Sequence, residues 1–143
     1  MTARLRVTAG GHELLLDSGQ VHRVWTVEAL ADETVPWEGR DVPIVDLAAL
    51  LADAAPSDTR RAIVVYGDSA GSIALAVDAV RGLVQLRADG VAALPALSPA
   101  FALLFDGIAV EPVEGRYPLC LRSVLDPAAL TAGMADRGGA AHG

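Results

Sequence analysis

Short runs of alternating apolar and polar residues recur along most of this chain, each cut off by glycine or proline, and they confine it to a mainly antiparallel β architecture. Leu5 and Val7 alternate with Arg4, Arg6 and Thr8, which gives a strand with one apolar and one polar face. Ala9-Gly10-Gly11 is a turn signal, so His12 to Asp17 is expected to return as the hairpin partner. Gln20 to Trp25 reads as a strand anchored by Val21 and Val24. Thr26 to Glu38 carries a weaker, acidic pattern, with a short helix expected near Glu28–Ala31. Arg40 to Leu47 is a strand in which Pro43 removes a backbone donor, so an edge strand or a bulge is expected there. Asp46 is placed to cap a short helix over Leu47–Asp53, with Leu47, Leu50 and Leu51 on one face.

Ala54-Ala55-Pro56-Ser57-Asp58 is the clearest interruption and is expected to hinge two lobes, one over 3–55 and one over 60–128, within a domain spanning 3–131. Arg60 to Tyr66 and Ser72 to Val80 are strands. In the second, Ile73, Leu75 and Val77 face one way and Ala74 and Ala76 the other, which implies that both faces are covered. Arg81 to Arg87 continues across a bulge expected at Gly82. Ala92 to Ser98 reads as a packed loop, and Phe101 to Val110 and Arg116 to Arg122 as strands about the turn Glu114-Gly115. Ser123 is expected to cap a terminal helix that turns Val124, Leu125 and Leu130 inward, and the Gly/Ala-rich stretch 133–143 is expected to be disordered. The sum is a mainly β chain: two small barrels packed side by side, a short helix between them and a C-terminal helix.

Composition narrows the function. Eighteen acidic residues against 11 arginines and no lysine give a net charge of −7, which offers no basic face for nucleic acid. Hydrophobic residues make up 52% of the chain, which excludes a mainly disordered protein, and aromatics only 4%, so the core must be aliphatic. The single cysteine, Cys120, excludes an internal disulfide and any multi-cysteine metal site, and reads as a small residue inside a strand. His12, His22 and His142 are not at metal-ligand spacing; the two in strands read as solvent-facing. No cofactor motif is present, neither phosphate loop nor dinucleotide fingerprint. Met1 to Arg6 runs straight into the first strand without a signal-peptide apolar region, and the charge-free stretch from Gly90 to Phe105 is broken by Pro95 and Pro99, so a cytoplasmic protein is expected.

Gly67-Asp68-Ser69-Ala70-Gly71 fits G-x-S-x-G, the turn that presents a hydrolase nucleophile. That chemistry needs a helix after the turn and a histidine further on. Here a strand pattern follows and His142 is the one histidine downstream, so a polar hairpin turn is the better reading, with a small serine hydrolase using Ser69 as the alternative. Asp106, Glu111 and Glu114 form a possible carboxylate group with no general acid beside it and read as a solvated rim.

Three stretches together resemble the CheW family of chemotaxis coupling proteins. Glu13-Leu14-Leu15-Leu16-Asp17 followed by Gln20-Val21-His22-Arg23-Val24 resembles the family's early strand pair. Gly39-Arg40-Asp41-Val42-Pro43-Ile44-Val45-Asp46-Leu47 resembles its run R-G-x-x-x-P-[VI]-[VI]-D-L. Ile73 to Val80, with Leu83, Leu86 and Val91 before Pro95, resembles its G-[LI]-x-V-D-x-V strand, and the likeness extends from about Leu5 to Leu130. The resemblance implies two SH3-like five-stranded barrels without catalytic activity, an adaptor in a two-component signal-transduction assembly. One barrel rim would dock the regulatory domain of a CheA-type histidine kinase, and the groove between barrels a chemoreceptor's cytoplasmic tip. A self-associating structural barrel, or pairing with another CheW-like barrel, is the further alternative.

The implied partner surface comprises Val21, Trp37, Glu38, Gly39, Arg40, Val42, Ala79 and Val80. The stretch from Trp25 to Gly39 is shorter than the family's loop, and Glu38 stands where the family has arginine. Glutamate cannot supply arginine's fork of donors, so weakened receptor coupling and a specialised member are expected. Trp37 is expected either as an interface anchor or as a plug at one barrel end. Asp46 and Asp78 each follow a valine expected to be buried, and so can hold a turn or a cap.

Overall fold

The computed structural model describes residues 2–28, 33–51, 61–67, 71–87, 89–94, 99–122 and 125. The first hairpin joins β1 (Thr2–Ala9) to β2 (His12–Asp17). Its two-residue turn, Gly10-Gly11, has φ of 58° and 84°, the primed geometry that matches strand twist. A 3-10 turn over Ser18–Gln20, capped by the Asp17 carboxylate accepting from the Gly19 N–H, leads into β3 (Val21–Val27). β4 (Thr34–Trp37), β5 (Arg40–Asp46) and the helix α1 (Leu47–Leu51) follow. The second half has β6 (Arg61–Tyr66), β7 (Ile73–Val77), β8 (Ala79–Leu86), β9 (Val91–Ala93), the helix α2 (Pro99–Leu104), β10 (Phe105–Ala109) and β11 (Leu119–Leu121).

The strands form two sheets, of order β8-β1-β2-β11-β10-β9 and β3-β6-β7-β5-β4, so the barrels hold six and five strands rather than five each. Each is antiparallel except for one parallel pair, β2 with β11 and β5 with β7. The two orders share one plan. A hairpin (β1-β2 or β6-β7) is flanked on one side by a strand that follows the other hairpin, and on the other by a parallel strand. Each hairpin thus sends its third strand to the opposite barrel: β3 leaves β2 for the five-stranded sheet, and β8 leaves β7 for the six-stranded one. The division into lobes over 3–55 and 60–128 is therefore corrected. The interruption at 54–58 lies outside the described residues, but β5 and β6 on either side of it belong to one sheet, because their apolar faces share one barrel.

Three apolar clusters account for this. Leu15, Leu86, Ala109 and Cys120 fill the six-stranded barrel, with Val84 and Val91 bringing its two edge strands together. Val42, Ile63, Ala74 and Ala76 fill the five-stranded one with Trp25, Val27, Val35, Trp37 and Ile44. The largest cluster lies between the barrels: Leu5, Val7, Ala9, Leu14 and Leu16 from the first hairpin meet Ala62, Val64, Tyr66, Ile73, Leu75 and Val77 from the second. The expectation that both faces of β7 are covered holds, since all five residues are buried and Ile73, Leu75 and Val77 serve the seam while Ala74 and Ala76 serve a barrel interior.

Local chemistry explains the element bounds. The Asp46 carboxylate accepts from the Ala49 N–H at 3.0 Å, the expected cap, and α1 packs Leu47, Leu50 and Leu51 onto the seam. The pairing of Arg6 with Gly82 and of Val7 with Val80 leaves Arg81 as the bulged residue, one position from the expected bulge, and Gly82 takes a φ of 117° beside it. Pro43 corrects the edge-strand expectation, because β5 lies inside the sheet. The Ile44 N–H donates to the Glu33 carbonyl, so the missing donor of Pro43 faces β7, just before the parallel pairing that starts at Ile44. Pro118 occupies the same place ahead of Leu119, where β11 begins to pair with β2.

The acidic stretch after β3 yields β4, a strand not expected from its pattern, while 29–32, part of the expected helix near Glu28–Ala31, lies outside the described residues. The strand expected from Phe101 starts only at Phe105, because Pro99 opens α2, where a fixed φ and a missing N–H cost nothing. Val24 is exposed on the edge strand β3 rather than anchoring it. Leu125 is buried in the seam as expected, whereas 123, 124 and 126–143, with the expected terminal helix and tail, lie outside the described residues.

Tyr66 ties the barrels together. Its fully buried hydroxyl accepts from the Asp17 N–H and donates to the Arg122 carbonyl, both at 3.1 Å, so one side chain of the five-stranded sheet satisfies two backbone groups near the ends of β2 and β11. Burial pushes its phenol well above the ordinary range. Tyr66→Phe should lower stability by about 1–3 kcal/mol in denaturant titration, since it removes two hydrogen bonds made by a buried hydroxyl. The raised phenol stabilises the fold fully below the unfolded value of about 10, so wild-type stability should fall as pH rises past that value, and the variant should lack this slope.

Candidate functional site

The residues expected at a partner surface fall into three places. Glu38 and Gly39 make the two-residue turn of the β4–β5 hairpin, between Trp37 and Arg40, which pair with each other. Glu38 and Gly39 have φ of 48° and 76°. Glycine accepts that conformation freely, while glutamate pays for it in contact between its Cβ and the backbone. Glu38 is exposed and makes no ion pair among the described residues. Trp37 is half-buried against the interior of the five-stranded barrel, and its ring stacks on His22 of β3 with centroids 6.3 Å apart and planes at 26°. His22 Nε2 in turn contacts the Gly67 carbonyl, so exposed His22 closes the seam between the barrel's edge strands β3 and β4.

Val21, Ala79 and Val80 lie elsewhere, at the two crossovers between barrels. All three are half-buried, and Val21 and Val80 pack on the seam cluster. Val42 departs from the expectation of an apolar rim. It is 3% exposed and part of a barrel interior, because β5 has neighbours on both sides and its inward residues are covered.

Ser69 lies outside the described residues. The described strands before and after it, β6 and β7, pair antiparallel with Tyr66 opposite Ile73, whereas a hydrolase nucleophile turn leads from a strand into a helix. Cys120 is buried in β11, and burial raises its thiol pKa. Among the described residues no cluster of three or more histidine, cysteine or carboxylate side chains could hold a metal ion.

A charged cluster that sequence reasoning missed sits at the open end of the six-stranded barrel. Arg6 donates to both Glu13 oxygens, at 2.9 and 3.2 Å, and to Glu114 at 2.9 Å. Glu114 stands at φ 49°, followed by Gly115 at 79°, in the turn that pairs Val113 with Arg116. Glu114-Gly115-Arg116 thus repeats the sequence and turn geometry of Glu38-Gly39-Arg40 at a tip of the other barrel. The Arg6 guanidinium holds the Glu114 carboxyl below the usual carboxylate range, chiefly through their hydrogen bond. The Asp78 carboxylate accepts from the Gly10 N–H at 2.9 Å and lies 3.6 Å from Arg61 Nη1, while its own N–H donates to the Thr8 carbonyl. Asp46 and Asp78 therefore do hold a cap and a turn, behind the buried Val45 and Val77.

A signal for this cluster was present. With Thr8 opposite Glu13 and Arg6 opposite Leu15, Arg6 and Glu13 are diagonal neighbours across the Gly10-Gly11 turn. Alternation gives β1 a polar face without saying what covers it, and barrel closure turns that face toward an interior.

These features, two interlocked barrels with exposed hairpin tips and a polar barrel mouth, describe a binding module. The CheW-like domain model matches residues 5–131, and the chain belongs to that family of chemotaxis signal-transduction scaffolds and adaptors. Among solved structures, the scaffolding protein TtCheW from Thermoanaerobacter tengcongensis superposes with a TM-score of 0.66 at 14% identity, over 85% of this chain and 88% of that one. It shares the fold. No curated protein matches the chain.

Two outcomes follow. Glu38→Asn should raise stability by about 1 kcal/mol in thermal or denaturant melts, because asparagine tolerates the left-handed position. The Glu114 carboxyl resonance should titrate below that of an unperturbed glutamate, so that the clasp on Arg6 stays closed through mildly acidic pH and opens only as pH falls through the lowered value.

Proposed function

We propose that this protein is a non-catalytic adaptor in a chemosensory assembly, acting in the cytoplasm to link a CheA-type histidine kinase with chemoreceptor tips or another CheW-like barrel. The observation that carries this reading is the CheW-like domain match over residues 5–131, which takes in both barrels and the seam. The solved relative's description as a scaffolding protein agrees with it. No helix among the described residues is long and apolar enough to cross a membrane, so any association with a membrane-linked array would run through partners.

Val21, Ala79 and Val80 mark the crossovers beside the inter-barrel groove, where the reading puts a receptor's helical tip. The β4–β5 turn, with Trp37, Glu38, Gly39 and Arg40, is a separate contact. At that turn Glu38 presents a carboxylate where the family resemblance implies an arginine. A receptor surface built for arginine would be acidic or carbonyl-rich and would repel Glu38, chiefly slowing association. A kinase contact on another rim would survive.

Titration of the isolated protein against a kinase regulatory domain and against a receptor-tip fragment tests the proposal. Saturable kinase binding with weak receptor binding is expected. Glu38→Arg should strengthen the receptor contact, more at low salt than at high, because screening weakens exposed charge pairs. Absence of binding to both partners would overturn the adaptor reading, and equal receptor affinities of wild type and variant at both salts would remove Glu38 from the contact.

A further inference from the structure

The mouth of the six-stranded barrel is a cleft of about 650 Å³ lined by Arg6, Glu13, Asp78, Arg81, Glu114 and Arg116 together with the Gly11 turn. That volume lies in the range of ligand-binding clefts, and barrel mouths are a recurrent place for them. Three arginines and three carboxylates cancel formally, but their commitments differ. Both Glu13 and Glu114 are taken by Arg6, and Asp78 is held by the Gly10 N–H and Arg61. Arg116 makes one long bond, 3.4 Å, to the Gly11 carbonyl and meets no carboxylate among the described residues. The Arg81 side chain makes no hydrogen bond or ion pair among them either, although its charge lies close enough to act on the Glu114 carboxylate. Arg81 is also the bulged residue of β8, and bulges re-aim side chains out of the ladder. The donors left without an acceptor in the cleft are therefore those of two exposed guanidinium forks, while each carboxylate already faces a cation or a backbone N–H, on a chain of net charge −7.

We infer that this barrel mouth is a docking site for a short acidic peptide segment of a partner protein, whose carboxylates pair with Arg81 and Arg116. Guanidinium forks match carboxylates two bonds at a time. The cleft is far larger than a single oxyanion needs, and it takes a few residues of extended chain. Arg6, locked between Glu13 and Glu114, shapes the wall and holds the Glu114 turn beside Arg116. The inference stands apart from the adaptor reading, since the site is tested on the isolated protein with neither kinase nor receptor present.

The probe is a capped tri-glutamate peptide, with its tri-glutamine counterpart and inorganic phosphate as comparisons, titrated by NMR into the full chain. The glutamate peptide should bind saturably, more weakly as salt rises, and shift resonances at the Gly10-Gly11 turn and at Glu114, while the glutamine peptide should not bind. Arg81→Gln and Arg116→Gln should each weaken binding about tenfold, as expected for a lost charge-assisted pair. Arg23→Gln, on the other barrel, should leave it unchanged. Both cleft arginines are exposed, so the variants should keep the wild-type melting temperature. Equal binding of the two peptides, no saturation at millimolar glutamate peptide, or equal loss in Arg23→Gln would overturn the site. Phosphate binding as tightly as the glutamate peptide, and displacing it, would overturn the peptide assignment.

Discussion

The apolar backs of two hairpins, β1-β2 and β6-β7, have no way to leave water except against each other. Leu5, Val7, Leu14 and Leu16 on one meet Val64, Tyr66, Ile73, Leu75 and Val77 on the other, all buried. Each barrel interior is small by comparison and built partly from alanine and cysteine. The hydrophobic stabilisation is thus concentrated in the seam, in proportion to the apolar area removed from water there. Two polar braces confine the geometry of that contact. Tyr66 bonds backbone groups near the ends of β2 and β11, and Asp78 reaches from the end of β7 to the Gly10 turn.

The exchange of third strands makes that seam difficult to open. Since β3 and β8 each leave their own hairpin for the other barrel, separating the barrels would pull the chain through both crossovers. Two barrels joined this way present their hairpin tips and mouths at a fixed relative geometry. That is what a scaffold needs if it is to hold two partners at once. The tips are themselves a repeated device. Glu-Gly-Arg occurs at 38–40 and at 114–116, both with a glutamate in the left-handed region. At the second tip the glutamate is bonded to Arg6, whereas the first points to solvent with no ion pair among the described residues. A strained position without an internal bond to account for it is a reasonable place to look for a partner.

Much of this site was legible from residue pattern, and the exceptions are instructive. Asp46 and Asp78 were readable as a cap and a turn holder because each follows an inward valine, and the structure gives both those bonds. Glu114-Gly115 was readable as a turn. Val42 was misplaced, since alternation says only that a residue faces one side of a strand and not whether that side is a rim or an interior. The same ambiguity hid Arg6 and Glu13: on a closed barrel the polar face of β1 points inward, toward the mouth.

Sequence by itself determined most of the strands, the Gly10-Gly11 and Glu114-Gly115 turns and the helix start at Asp46, because these depend on period, on φ preference and on contacts a few residues apart, while the two-barrel fold was implied by the family resemblance. It also marked two halves, meeting near 54–58. Only the tertiary structure decided that these halves are not the barrels. Strand pairing is chosen by which apolar faces can be covered together, and β5 and β6 share a barrel interior while β1 and β2 pair with strands from the far end of the chain. The charged barrel mouth is a product of the same choice, for it brings Arg6 and Glu13 from the first hairpin to Asp78, Arg81, Glu114 and Arg116, some 65 to 110 residues away, over separations on which local pattern carries no information.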